Sequence, residues 1–119
     1  MQLGRLDVCL RVQSVGASRE FYESLGFRRV EGDDAEGWAV VAQGESRIGL
    51  FEPHFMSSDF SLNFRGGNIA TLVEGLQAQG YRFAKEPKVK PDGSGSATLH
   101  DPDGCVIFLD STSDELRKA

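Results

Sequence analysis

Residues 6–27, LDVCLRVQSVGASREFYESLGF, decide the fold of this chain. The first seven alternate: Leu6, Val8, Leu10 and Val12 point one way, while Asp7, Cys9 and Arg11 point the other. That is the period of a half-buried strand. Ser14 then offers its hydroxyl as an N-cap, and the residues from Val15 to Leu25 read as a helix. Gly26 stops it, because a residue without Cβ enters the left-handed region at little cost. Working outward, short strands are predicted at about 27–31, 38–43 and 47–52, separated by GDDAEG and GES turns.

The same order then starts over. Residues 60–64 read as a strand and Asn68 as an N-cap. Ile69, Leu72, Val73 and Leu76 form the stripe of an amphipathic helix. Gly80 closes it, and strands are predicted near 81–85, 95–100 and 106–110. The halves superimpose at one offset of about 54 positions. Ser14 falls on Asn68, Val15 on Ile69, Gly26 on Gly80 and Phe27 on Tyr81. On the first strand, Asp7 falls on Ser61, Cys9 on Asn63 and Arg11 on Arg65. The expected architecture is α+β: two βαβββ repeats forming curved mixed sheets around a cavity, in a single domain with halves of about 1–54 and 55–119. Segment EPHFMSSD joins the halves, or lets one be exchanged with a second copy. The polar tail STSDELRKA is expected to fray or to form a last helical turn.

Composition narrows the function classes. The chain has 119 residues, 39% hydrophobic and 26% charged, as in ordinary globular proteins. No apolar run approaches the ~18 residues of a membrane span. The start lacks the layout of a secretory signal, so a cytoplasmic protein is expected. A net charge of −5 with no basic cluster argues against nucleic acid and suits a cationic ligand. Cys9 and Cys105 stand far apart without CxxC spacing and are expected to be reduced thiols rather than zinc or redox ligands. The segment GGN at 66–68 is too short for a phosphate loop, and no GxSxG elbow occurs. GSGSAT at 93–98 reads as a hairpin or rim loop.

LRVQSVGASREFYESLGF, with DPDGCVIFLD at 101–110, resembles the glyoxalase/bleomycin-resistance (vicinal oxygen chelate) superfamily. DPDG itself reads as a turn: Pro102 fixes φ and Gly104 accepts positive φ before the last strand. The resemblance implies a cavity-facing ligand set for a divalent metal, at positions held here by Asp7, Ser61, Glu52 and Phe108. A phenyl ring is no ligand and serine is a weak one, while a transition metal wants several good donors. His54 and His100 fall outside the implied positions. The expected protein is therefore metal-free and without cofactor. It is expected to resemble bleomycin resistance proteins in sequestering a cationic or aromatic small molecule, as a homodimer with its cavity at the interface.

The expected ligand-binding residues are Asp7, Cys9, Arg11, Trp38, Glu52, Ser61, Asn63 and Phe108. Phe55 and Phe60 are further aromatic candidates that read better as core. Two alternatives stand beside this reading. One is a metal-dependent lyase, isomerase or ring-cleaving dioxygenase, or a metal-free enzyme with Glu52 as base. The other is an interaction module whose cavity is filled by its own side chains.

Overall fold

A computed structural model describes residues 1–118. Its elements run β1 Gly4–Arg11, α1 Val15–Ser24, β2 Arg28–Asp33, a 3-10 turn Asp34–Glu36, β3 Trp38–Gln43 and β4 Ser46–Phe51. They continue with β5 Phe60–Gly66, α2 Ile69–Ala78, β6 Lys88–Val89, β7 Gly95–His100, β8 Val106–Ser111 and α3 Ser113–Lys118. The order is βαβββ twice, followed by a short C-terminal helix. The chain divides into two compact units, Asp7–Ser61 and Met1–Leu6 with the residues from Leu62 onward.

Within Asp7–Ser61 the strand order is β2-β3-β4-β1. The β2–β3 and β3–β4 ladders are antiparallel, and β1 runs parallel to β4 with Cys9 opposite Gly49. A parallel neighbour needs a crossover rather than a hairpin, and the stretch carrying α1 supplies it. Val15, Ala39, Val41 and Leu50 are fully buried, and α1 packs against β2, β3 and β4. Ser14 caps α1, its hydroxyl accepting from the Ala17 N–H at 3.2 Å. Arg19 of α1 donates through Nε and Nη2 to both carboxylate oxygens of Asp34, at 2.9 and 2.7 Å. This fork holds the Asp34 carboxyl below the usual carboxylate range.

In the other unit the order is β5-β8-β7-β6, with antiparallel β6–β7 and β7–β8 ladders. Ile69, Leu72, Ala97 and Leu109 form its buried cluster, with Phe64, Phe83 and Leu99 packed against it. Asn68 caps α2 by accepting from Thr71 N–H at 3.0 Å. The carbonyl of Gly93 also accepts from Ile69 N–H at 2.7 Å, tying the turn after β6 to the start of α2. At DPDG, Asp101 Oδ1 accepts from the N–H groups of Asp103 and Cys105 at 2.9 and 2.8 Å, and Gly104 takes φ +88°. The sequence DPDG builds a turn.

Three expectations are corrected. No strand forms at 81–85: Ala84 N–H bonds the Thr98 carbonyl at 2.8 Å, but the ladder begins only at Lys88. Pro87, with no N–H to donate, stands between. Second, Val8 and Leu10 lie in register with Ile48 and Leu50 on the helix-covered face of β1, as its alternation implies, but the polar face is the more deeply buried one. Asp7 is 1% exposed and Cys9 5%, whereas Leu6 is 42% exposed. A largely covered guanidinium from β4, that of Arg47, makes this possible. Third, Phe55 and Phe60 are not core, being 47% and 48% exposed.

Candidate functional site

Alternation on β1 and β4 carries one set of side chains to a common face. The register pairs Cys9 with Gly49 and Arg11 with Phe51, and Gly49 sits opposite Val40 of β3. Asp7, Cys9, Arg11, Arg47, Gly49, Phe51 and Trp38 therefore share a face. A Cβ at Gly49 would stand 3.0 Å from Cys9 Sγ and 2.8 Å from the Phe51 ring, so only glycine lets that ring lie down there.

At one end of this face Arg47 is held between two carboxylates. Its Nε donates to Asp7 Oδ1 at 2.7 Å, and its Nη2 donates to Glu31 Oε2. The side chains of Asp7 and Arg47 are 2% and 13% exposed. Desolvation opposes the charge on Arg47, yet hydrogen bonds and proximity to Asp7 and Glu31 outweigh it and raise its pKa. Arg11 turns to Asp59, at 2.5 Å, and to the Ser57 carbonyl at 2.6 Å. Asp7 is thus committed to a guanidinium within the fold.

At the other end lies an aromatic cluster. The rings of Trp38 and Phe51 stack with centroids 6.0 Å apart and planes 7° from parallel. Phe55 meets Phe51 edge-on at 6.1 Å, and His54 lies 4.1 Å from Phe55. Carboxylates border it: Trp38 Nε1–H donates to Glu36 Oε2 at 3.0 Å, and Glu52 accepts from Val15 N–H through Oε2 at 3.0 Å. Gly37, at φ +81°, sits where a Cβ would approach Glu52 Oε1, His54 and Phe55 within 3.2 to 3.3 Å. Glycine there satisfies the backbone and leaves room for the cluster.

The sequence-predicted residues fall into three groups. Trp38 and Glu52 meet at the aromatic cluster. Asp7, Cys9 and Arg11 lie on the same face, and Ser61, 8% exposed, belongs to the same unit. Asn63 and Phe108 belong to the other unit, where Asn63 Nδ2 donates to Asp110 Oδ1 at 2.8 Å and to the Phe108 carbonyl at 3.2 Å. Phe51, Glu36 and Arg47 escaped the sequence reading. Alternation along 46–51 places Arg47, Gly49 and Phe51 together, and that was the signal available.

Charge is divided unequally. Asp7–Ser61 holds ten Asp and Glu against five Arg, so the whole net charge of −5 resides there. The other unit has eight of each sign.

The donors at the four positions implied by the family resemblance do not fit a divalent metal. Asp7 is bonded to Arg47, Glu52 caps α1, Ser61 offers a hydroxyl and Phe108 offers nothing. Among the described residues no three His, Cys, Asp or Glu side chains gather in a metal-binding group. Cys9 and Cys105 form no disulfide among the described residues. No helix among the described residues is long and apolar enough to cross a membrane.

Two βαβββ units, each with a helix over one sheet face and polar or aromatic residues on the other, define a class of α+β protein built by repetition. The sequence profile described as "Glyoxalase/Bleomycin resistance protein/Dioxygenase superfamily" matches residues 4–109, and the chain belongs to that superfamily. Solved structures share the fold at low identity. A Legionella pneumophila protein described as an NAD-dependent benzaldehyde dehydrogenase is 16% identical, with TM-score 0.73 over 91% of this chain and 99% of its own. A superfamily member from Vibrio splendidus 12B01 is 18% identical, with TM-score 0.65 over 91% and 98%. The methylmalonyl-CoA epimerase of Streptomyces coelicolor is 17% identical, with TM-score 0.58 over 95% and 98%. No curated protein matches the sequence.

Proposed function

We propose that this protein is a metal-free, small-molecule-binding member of its superfamily that sequesters a cationic, aromatic ligand. The observation that carries the reading is the Trp38–Phe51 stack bordered by Glu36 and Glu52, in the unit that holds all of the net negative charge. Cation–π attraction to an indole face contributes about 0.5–2 kcal/mol, more as water is excluded. A carboxylate beside the ring adds a charge-assisted hydrogen bond. Trp38, Phe51 and Phe55 would give the ligand its stacking surfaces, and Glu36 and Glu52 its counter-charge. Asp7 and Arg47 stiffen the floor. The working form in this proposal is a cytoplasmic homodimer in which each chain acts as a single domain.

Titration of Trp38 fluorescence tests the proposal, using bleomycin and ethidium against neutral aromatic amides. Saturable quenching by the cations is expected, with affinity falling about tenfold in Glu36→Gln. Equal binding of the neutral compounds, or no saturable quenching, would overturn it. Calorimetry of chelator-stripped protein with Mn, Fe(II), Ni and Zn tests the metal-free part. Micromolar binding of any of these ions would turn attention to lyase and dioxygenase assays.

A further inference from the structure

An open groove of about 600 Å³ lies in the other unit, lined by residues including Lys88, Lys90, Ser96, Phe108 and Asp110. Its volume falls in the range of small-molecule sites. We infer that this groove is an anion-accepting site for an aromatic carboxylate, with the ring of Phe108 as its floor and the ammonium groups of Lys88 and Lys90 at its rim. The inference stands independently of the cationic site proposed for Asp7–Ser61.

Register places the components on one face. Lys88 pairs with Ser96, Ser96 with Asp110, and Thr98 with Phe108. Phe108 is only partly buried, although its neighbour Leu109 is 1% exposed. The acidic member, Asp110, is already engaged. It accepts from Asn63 Nδ2 at 2.8 Å, and Arg65 Nε stands 3.9 Å away. Lys88 makes no ion pair among the described residues. Lys90 contributes only its field to Asp92, whose carboxylate is bonded to Ser94 and Ser113. The lysines therefore face the groove without a dedicated carboxylate, in a unit with no net negative charge to repel an anion.

The edge strand that carries them is fixed in place. Gly95, at φ +147°, lies so close to β6 that a Cβ would stand 1.9 Å from the Lys88 carbonyl. The turn beyond is pinned by Lys90 N–H to the Ser94 carbonyl at 2.8 Å and Gly93 N–H to the Lys90 carbonyl at 2.9 Å. Lysines on an edge strand can also serve only to repel another strand. That role needs neither a ring nor a groove beside them.

The test is a ¹⁵N-NMR titration of the full chain with benzoate, benzamide and benzamidine, compounds of one size that differ in charge. Saturable shifts are expected with benzoate at residues 88–90, 95–96 and 108–110, in about the millimolar range of so small a ligand. They should weaken about tenfold or more in Lys88→Glu/Lys90→Glu, and also in Phe108→Leu, whose backbone spectrum checks folding. Three results would each overturn the inference: unchanged spectra, equal shifts with benzamidine, or full binding by the charge-reversed variant. The lysines would then be edge guards. Failure of the cationic proposal would register separately, in Trp38 fluorescence.

Discussion

Arg47 shows how one side chain can make a polar strand face buriable. Its guanidinium satisfies Asp7 and Glu31 together, and without it Asp7 would sit at 1% exposure beside Cys9 with its main counter-charge gone. Breaking a buried pair by removing one partner costs about 3–5 kcal/mol. Arg47→Ala should lower stability by that order in urea unfolding. Asp7→Leu combined with Arg47→Met should cost much less, because the deeply buried carboxylate is then gone with its partner and only Glu31, a third exposed, loses the guanidinium. Asp92 gives a prediction in pH. Hydrogen bonds from Ser113 and Ser94 hold its carboxyl at about 2, against an ordinary 3.8. A depressed folded value means that the stabilisation is complete above about pH 4 and fades as the pH falls toward 2. Asp92→Asn should therefore have a lower Tm than the wild type at neutral pH, and the gap should close in acid. At this scale the sequence was half legible. Asp7 and Glu52 stood out as carboxylates on predicted strands, but Arg47 lies 40 residues from Asp7, and Val15 lies 37 from Glu52. Pairing over such separations depends on strand register, which alternation within one strand does not contain.

The helices were the most legible elements. Val15–Ser24 and Ile69–Ala78 stand 54 residues apart at both ends, with Ser14 and Asn68 as caps and Val15 and Ile69 both fully buried. Caps and stop signals are local chemistry, so they survive in the sequence. Strand β6 was misplaced because its existence depends on a neighbour: two residues join the sheet only where Gly95 lets them approach. Gly95→Ala should detach this edge while α2 and the buried cluster around Leu109 remain. Hydrogen exchange should show it as lost protection at the Lys88–Ser96 ladder, without matching loss in β8. Global exchange across the unit would show instead that β6 is part of its cooperative core.

For the molecule as a whole, apolar side chains remain at the surface. Phe21 and Leu25 of the α1 region are 59% and 56% exposed, and Tyr81 is 58% exposed. The proposed dimer predicts a sedimentation mass of two chains at micromolar concentration. A single-chain mass would remove the interface from the proposed function and leave the Trp38 cluster as a monomer's site. Little of this level could be read from the sequence beyond the repeat and the family motifs. Those motifs, LGF and DPDG, are structural punctuation and carry no ligand chemistry. The division of charge depends on boundaries at Leu6 and Ser61, which no local motif marks.

The common spacing of the helices does not persist to the last strands. Ser46–Phe51 and Val106–Ser111 are 60 residues apart, against 54 for the helices. If an ancestral gene was copied in tandem, the later copy gained its length entirely downstream of its helix, in the stretch that includes the lysine-bearing hairpin. Six residues of that stretch have no counterpart in the first half, which makes the segment between the second helix and the last strand the place where its relatives should differ most in length.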